Sequence, residues 1–369
     1  MNTTQLPHTL TGIRRSMKSR KIDALLLTQP ENRRYLSGYT ATDVSISETS
    51  GVLLIPVDGT PFLFTDSRYG LQAEMEAKGY KVELYRRGLI ALLRRKLSSL
   101  GIKRLAFESH YFLHSAVQTL KAMTDKTGVD LVPLTGLVEK HRLVKSAEEI
   151  EKIKKSVRLN EEVFHEVYMG LKPGQTERQV AMKIEITMKE KGAEGPSFET
   201  IVAGGPNGAL PHAVPSDRPL KKGEPIIIDM GLKLNGYCSD MTRTIVLGEP
   251  DDWTKTLFRI VRKAQQTGIK MIKQGVSAFD VDQAARQVIN QAGLGDRFGH
   301  GLGHGVGLAV HEAPSLSWRN RKRLKKGMVV TVEPGVYIPD WGGIRLENMV
   351  LVKEKDCEVL NRDTTFLDI

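Results

Sequence analysis

Leu220-Lys-Lys-Gly-Glu-Pro-Ile-Ile-Ile-Asp229-Met-Gly231 and Leu324-Lys-Lys-Gly-Met-Val-Val-Thr-Val-Glu333-Pro-Gly335 are one phrase written twice, with a carboxylate in the same slot. Each copy reads as an apolar strand that ends on its acid. The repeat extends upstream, where Leu171-Lys-Pro-Gly174 and Ile272-Lys-Gln-Gly275 each separate two helix-like segments. A duplicated half-domain accounts for this spacing. Each copy also holds a second acid, Asp240 eleven residues after Asp229 and Glu347 fourteen after Glu333, with His304 between the copies. Four carboxylates and one imidazole form a metal-binding inventory.

The chain has 369 residues, 40% of them hydrophobic and 26% charged, which is ordinary globular composition and enough for two domains. No apolar run approaches the roughly 18 to 20 residues of a membrane span, and Met1 to Leu10 is polar rather than signal-like. A membrane partner is not expected. Cys238 and Cys357, the only cysteines, cannot form a disulfide framework. A reducing, cytoplasmic setting is the expectation. The net charge of +11 raises the question of an anionic partner. The densest basic run, Arg319 to Arg323 with Lys325, Lys326 and Trp318, has no nucleic-acid motif around it and reads as a solvated loop. Nucleic acid is therefore not the expected partner.

Periodicity divides the chain near residue 140. Before it, helix-like and strand-like segments alternate: Leu10 to Arg20, Ala24 to Leu27, Gly51 to Pro56, Phe62 to Phe64, Ser67 to Ala77, Val82 to Tyr85, Leu89 to Leu100 and Arg104 to Phe107. Asp58-Gly59 between two apolar runs signals a hairpin. After it, Ser146-Ala-Glu-Glu149 is a capping box that opens a charged helix. The order helix, helix, strands then occurs twice, with helices expected over Ala147 to Tyr168, Glu177 to Lys191, Trp253 to Lys273 and Ala278 to Gln291. The expected fold class is α/β (α+β), with domains at 1–140 and 141–369.

Lys233-Leu-Asn-Gly-Tyr237 reads as a hairpin turn whose return strand carries Asp240 beside Asp229. In the second copy the turn at Asp340-Trp-Gly-Gly343 returns the chain to Glu347. The duplication puts the two pairs of acids face to face. Four buried like charges raise one another's pKa and destabilise the fold unless cations offset them. Carboxylate oxygens with one imidazole favour manganese, cobalt or iron, with zinc as an alternative. Two such ions could activate a water and polarise a carbonyl together. The glycines of Gly299 to Gly307 alternate, so no G-x-G-x-x-G register fits and dinucleotide binding is unsupported. They let backbone pass close to a buried site and set His304 against it. His311-Glu312 is not a zincin motif, because Ser315 stands at the second histidine position.

Taken together, Pro211 to Asp217, Ile228 to Gly231, Asn235 to Thr244, His300 to Glu312, Val332 to Gly335 and Gly343 to Glu347 resemble the pita-bread-fold dinuclear metallopeptidases, a family that includes Xaa-Pro dipeptidase and aminopeptidase P. The amino-terminal half resembles the α/β domain of prolidases and creatinase more loosely. The resemblance implies a pseudo-twofold pita-bread catalytic domain with Asp229 on one metal, Asp240 and Glu347 bridging both, and His304 with Glu333 completing the second. It also implies a metal-held hydroxide as the attacking group, with Glu333 as its proton shuttle. His212 and His311 match the two histidines that contact substrate. Arg243 and Tyr237 read as supporting or packing residues, and Cys238 as a small buried filler.

The short Glu333 to Glu347 interval and the large amino-terminal domain resemble the proline-directed branch, whose members often form homodimers. The resemblance implies two divalent ions, manganese first, and hydrolysis of Xaa-Pro bonds in dipeptides or at the amino terminus of short peptides. Two departures stand out: Ser315 where prolidases commonly carry arginine, and Asn348 where the family favours aspartate. The rival readings are a creatinase-like hydrolase that is not a peptidase, and a non-catalytic binding protein on the same fold.

Overall fold

A computed structural model describes residues 8–364, and the chain folds as two compact units, one ending at Arg142 and the other beginning at Leu143. The first unit runs α1 (His8–Ser19), β1 (Ala24–Leu27), α2 (Pro30–Ser37), β2 (Val52–Pro56), β3 (Phe62–Thr65), α3 (Gly70–Glu76), β4 (Lys81–Leu84), α4 (Leu89–Ser99), β5 (Arg104–Glu108), α5 (His114–Thr127), β6 (Asp130–Leu134) and α6 (Glu139–Arg142). Its six strands form one sheet in the order β4-β3-β2-β1-β5-β6. β1 and β2 are buried at every position, so they read as continuous apolar runs. Separate apolar clusters cover the two faces, one around Leu25, Leu53 and Leu63 and the other around Leu26, Leu54 and Phe64. The Asp58-Gly59 hairpin is present between the antiparallel β2 and β3, with Gly59 at φ 86°.

Four elements of this unit, α2, α5, β6 and the one-turn α6, exceed the pattern read from the sequence. The short α2 buries Asn32, Arg33 and Ser37 beside Leu36, so its inward face is largely polar and hydrophobic periodicity is silent there. In β6, an edge strand, no residue is fully buried, and α5 buries only Leu120, Met123 and Thr124. The helix expected from Ser67 begins instead at Gly70, because Asp66 accepts the Arg68 amide in a local turn.

In the second unit, α7 (Ala147–Met169) and α8 (Glu177–Glu190) precede β7 (Gly195–Pro196), β8 (Ile201–Gly204), β9 (Pro225–Met230), β10 (Leu232–Leu234), β11 (Tyr237–Cys238) and β12 (Met241–Val246). The second copy follows with α9 (Asp252–Met271), α10 (Ala278–Gln291), β13 (Gly303–Gly305), β14 (Glu312–Leu316), β15 (Val329–Val332), β16 (Gly335–Ile338), β17 (Gly342–Arg345) and β18 (Asn348–Val352), and β19 (Cys357–Val359) closes the edge. The Ser146–Glu149 capping box forms in both directions.

The repeated phrases make the same stitches in each copy. Gly174 N donates to Leu220 O and Gly275 N to Leu324 O, both at 2.9 Å, while Leu220 and Leu324 return the bond to Gln175 O and Val276 O. Those two glycines sit at φ 93° and 90°, and Gly223 and Gly327 at 80° and 87°, left-handed values that only glycine adopts freely. The loop between each helix pair is thereby pinned to the start of its own strand. Behind each strand lies its own apolar core, centred on Ile226 and Ile228 in one half and Val330 and Val332 in the other.

Each copy is one long hairpin broken midway on both arms. β9 and β12 pair antiparallel with Asp229 opposite Thr242, and β15 and β18 pair with Val332 opposite Asn348. Beyond the breaks, β10 pairs β11 and β16 pairs β17. The return arm expected to carry Asp240 as a single strand is therefore two strands, and Asp240 lies in the gap between them. Glu333 and Glu347 occupy the corresponding gaps in the second copy. A side chain at such a gap leaves the alternation of the pleat and can turn into the space between the hairpins.

The gap at Gly231 is tight: a Cβ there would stand 2.2 Å from Ser239 O and 2.3 Å from Ser197 Oγ. Gly231→Ala should destabilise the protein by about 1 to 3 kcal/mol through forced backbone movement, measured as a fall in chemical-denaturation midpoint. An unchanged midpoint would refute the close approach.

Candidate functional site

Between the two hairpins lies a cavity of about 640 Å³ whose wall includes Asp229, Asp240, His304, Glu333 and Glu347, with His212, His300 and His311. All seven residues singled out from the sequence as ligands or catalytic groups reach this one space. Asp240, His304 and Glu347 bring one ligand atom each to within 4.8 Å of one another. His304 Nε2 stands 3.5 Å from Asp240 Oδ2 and 3.3 Å from Glu333 Oε1.

Local sequence explains how His304 arrives there. A Cβ on Gly303 would meet Thr331 O at 2.2 Å, and one on Gly305 would meet Ala313 O at 2.3 Å. The alternating glycines thus allow β13 to press between its neighbours. The His304 amide donates to Thr331 Oγ1 at 3.0 Å, and that hydroxyl donates to Glu333 Oε1 at 3.0 Å. His304 and Glu333 are set by one threonine.

A second fixing point is Arg345, to which the sequence reading assigned no role. Its guanidinium donates to Asp229 Oδ2 at 2.6 Å, Tyr337 OH at 2.9 Å, Pro211 O at 3.1 Å and Thr242 Oγ1 at 3.2 Å. Thr242 in turn donates to Glu347 Oε2 at 2.7 Å. One buried cation from the second copy therefore holds an acid of the first. Strand alternation was the available signal, since Arg345 precedes Glu347 by two residues and Thr242 follows Asp240 by two. His300, also unassigned from the sequence, shares a hydrogen bond between Nε2 and Tyr337 OH at 2.9 Å.

Most other expectations, Ser315 excepted, resolve outside the cavity. The Tyr237 hydroxyl donates to Glu149 Oε1 at 3.1 Å, at the amino end of α7. Cys238 is buried with its thiol directed to Leu308 O. Glu312 pairs with Lys145 at 2.6 Å. Arg243 is fully buried behind the site and donates to Glu347 O at 2.6 Å. Ser315 lines the cavity wall. The basic run after Trp318 forms an exposed loop, with Arg321 lying over the Phe279 ring.

The electrostatics fit a cation-binding site. Burial, reinforced by Glu347, Asp229 and Glu333, drives the Asp240 carboxyl well above its ordinary range, and burial with Glu333 and Asp229 does the same to Glu347. Burial would raise Glu333 too, but the hydrogen bond and charge of His304 outweigh it and keep the carboxylate ionised. Burial works against a charged His304, yet Glu333 raises it to about 9. His311 is depressed by burial and by nearby His304, whose ring it meets edge-on at 4.4 Å between centroids. Most telling, Asp229 Oδ1 and Glu347 Oε1 are buried with no hydrogen-bond partner among the described residues. Buried carboxylate oxygens without donors are what a divalent cation satisfies.

Comparisons with known proteins agree along the chain. Residues 151–354 match metallopeptidase family M24, and residues 10–144 match the creatinase/prolidase N-terminal domain. An Xaa-Pro dipeptidase of Pyrococcus furiosus is 34% identical over 347 residues, covering 94% of this chain and 95% of that one. Among solved structures, an Xaa-Pro dipeptidase from Bacillus anthracis aligns with TM-score 0.90 at 36% identity, covering 96% and 97% of the two chains. An X-Pro aminopeptidase from Thermotoga maritima aligns with TM-score 0.85 at 37% identity, covering 95% and 98%.

A pH dependence follows for protein stripped of metal by a chelator. His304 has a folded pKa near 9 against an ordinary value of 6.5. Its contribution to stability is complete below 6.5 and disappears as pH rises through 9. Asp240 and Glu347, both raised, act with the same sign. The melting temperature of the stripped protein should fall between pH 6.5 and 9, and His304→Asn should flatten that fall. A melting temperature that rises over this interval would contradict the assignment.

Proposed function

The chain belongs to metallopeptidase family M24, with a creatinase/prolidase-type amino-terminal domain, and from that membership we propose that it hydrolyses Xaa-Pro bonds, in Xaa-Pro dipeptides or at the amino terminus of short peptides. The observation that carries the reading is the pair of buried, partnerless oxygens on Asp229 and Glu347, within a cluster of four carboxylates and one imidazole. Similar chains bearing dipeptidase and aminopeptidase names support the proline direction.

In this proposal Asp229, Asp240, His304, Glu333 and Glu347 would hold two divalent ions, manganese first. When bound, the ions would supply a Lewis acid for the scissile carbonyl and lower the pKa of a water toward neutrality. The chain's own groups do the rest. Glu333 would take a proton from the water and deliver it to the leaving proline nitrogen. That nitrogen belongs to a tertiary amide without an N–H, so the site recognises proline by shape. His311, held neutral, and His212, at the cavity wall, would donate hydrogen bonds to the carbonyl oxygen as it gains charge. Arg345 leaves Asp229 one oxygen for the metal by engaging the other.

The same reading takes residues 141–369 as the catalytic domain and 1–140 as the amino-terminal one. It also includes a cytoplasmic location, supported by a cysteine content too low for a disulfide framework, and a homodimer, supported by the family resemblance. Among the described residues no helix is long and apolar enough to cross a membrane. The intact five-residue cluster weighs against a creatinase-like or non-catalytic role.

Two measurements test the proposal. Manganese- or cobalt-loaded protein should release Xaa from a matched set of Xaa-Pro and Xaa-Pro-Yaa peptides, and chelation should abolish release; no turnover of either peptide would sink the reading. Glu333→Gln should fold yet lose roughly 10²- to 10⁴-fold in kcat, and an unchanged rate would remove Glu333 as the proton carrier.

A further inference from the structure

Glu347 lies between β17 and β18, so no strand ladder fixes its peptide unit. Two bonds from β12 hold it instead. Its amide donates to Thr242 O at 3.1 Å, and its carbonyl accepts from Arg243 Nη1 at 2.6 Å. Arg243 is itself placed from a third direction: its Nε donates to Asp363 Oδ2 at 3.1 Å, and the two side chains are 0% and 1% exposed. Asp363 comes from the segment that follows β19. That segment is tied down along its course, since Leu360 N donates to Met349 O at 2.9 Å and Asn361 Oδ1 accepts from Met349 N at 2.7 Å. Glu161 of α7 then accepts the amides of Arg362 and Asp363 at 2.7 and 2.8 Å. Outside the main fold, a carboxylate thus reaches the rear of the metal cluster through one guanidinium.

We propose that residues 360–363 form a strap that positions the metal site, with Asp363 acting through Arg243 to fix the main chain of Glu347. The inference rests on the reading of Glu347 as a metal ligand. A guanidinium with several donors can satisfy Asp363 and still hold the Glu347 carbonyl, which the single ammonium of lysine cannot do in the same geometry. Fixing that peptide limits how far the Glu347 carboxylate can move from Asp240 and His304. Asp363 touches neither substrate nor metal and is a positioning residue.

The test uses the full chain, stripped of metal and then titrated with manganese against a competing chelator, with melting temperature recorded before metal is added. Asp363→Asn and Arg243→Lys should each weaken manganese binding at least about tenfold, the scale of loss seen for groups that orient metal ligands. Melting of the stripped protein should fall in Asp363→Asn, where a buried guanidinium loses its carboxylate, but by less than the loss of affinity requires, and Asp363→Glu should recover part of the affinity. Glu358→Gln breaks the half-buried ion pair of the neighbouring β19 with Lys154 and a second one with Lys353, and should leave binding unchanged. Unchanged affinity in a folded Asp363→Asn or Arg243→Lys protein would overturn the strap. So would an affinity loss that merely tracks a lowered melting temperature, or failure of both variants to fold, since the pair would then be a general stabiliser. No manganese binding by the unsubstituted chain would instead overturn the metal-centre reading, a result distinct from those.

Discussion

Asp240 and Glu347 are carboxyls whose pKa values are driven up by burial first and by neighbouring acids second, and the architecture around them answers the cost of placing them together. Neither acid sits on a regular strand. Both occupy gaps where a hairpin arm breaks, and the breaks direct them into the space between the two halves. Around them are a cationic Arg345, a raised His304 and hydroxyls from Thr242 and Thr331. These groups offset the charge only in part, since one oxygen each of Asp229 and Glu347 has no donor among the described residues. The deficit has the sign and position that a divalent cation would correct.

The two halves contribute unequally to that centre. The first supplies Asp229 and Asp240, and the second supplies His304, Glu333, Glu347 and the guanidinium that holds Asp229. Contacts at the seam run in both directions, from Arg345 to Asp229 and from Thr242 and Arg243 to Glu347. Asymmetry of side chains on a symmetric backbone gives the cavity two different sides. One holds Glu333 kept ionised beside His304; the other holds Asp229 clamped by Arg345.

Much of this was legible in the sequence because the repeat fixes register. Leu-Lys-Lys-Gly marks the start of each inner strand, and counting from it reaches all four acids. Alternating glycines signalled that His304 would be pressed against something buried. What the sequence left hidden depends on contacts between distant segments. Arg345 binds Asp229 from 116 residues away, and Asp363 receives Arg243 from 120. No local pattern distinguishes Arg243 from other strand residues, and for Arg345 the two-residue spacing to Glu347 hints at a shared face without naming its partner. The kinked arms were hidden for a related reason: a break that costs one or two ladder positions barely disturbs the alternation of apolar side chains. In the amino-terminal unit, α2 escaped notice because its buried face is polar, with Asn32 and Arg33 inside.

Each half of the catalytic unit stitches its helix pair to its own hairpin, through Gly174 and Leu220 in one and Gly275 and Leu324 in the other. The stretch from Leu247 to Asp251 that joins the halves contributes no residue to the cavity. Chain continuity there is incidental to the chemistry. What makes a reaction centre of two incomplete half-sites is the fit of their facing surfaces, so the seam between β12 and β17 is an internal docking interface, built like the interface of a two-subunit enzyme whose subunits share one polypeptide.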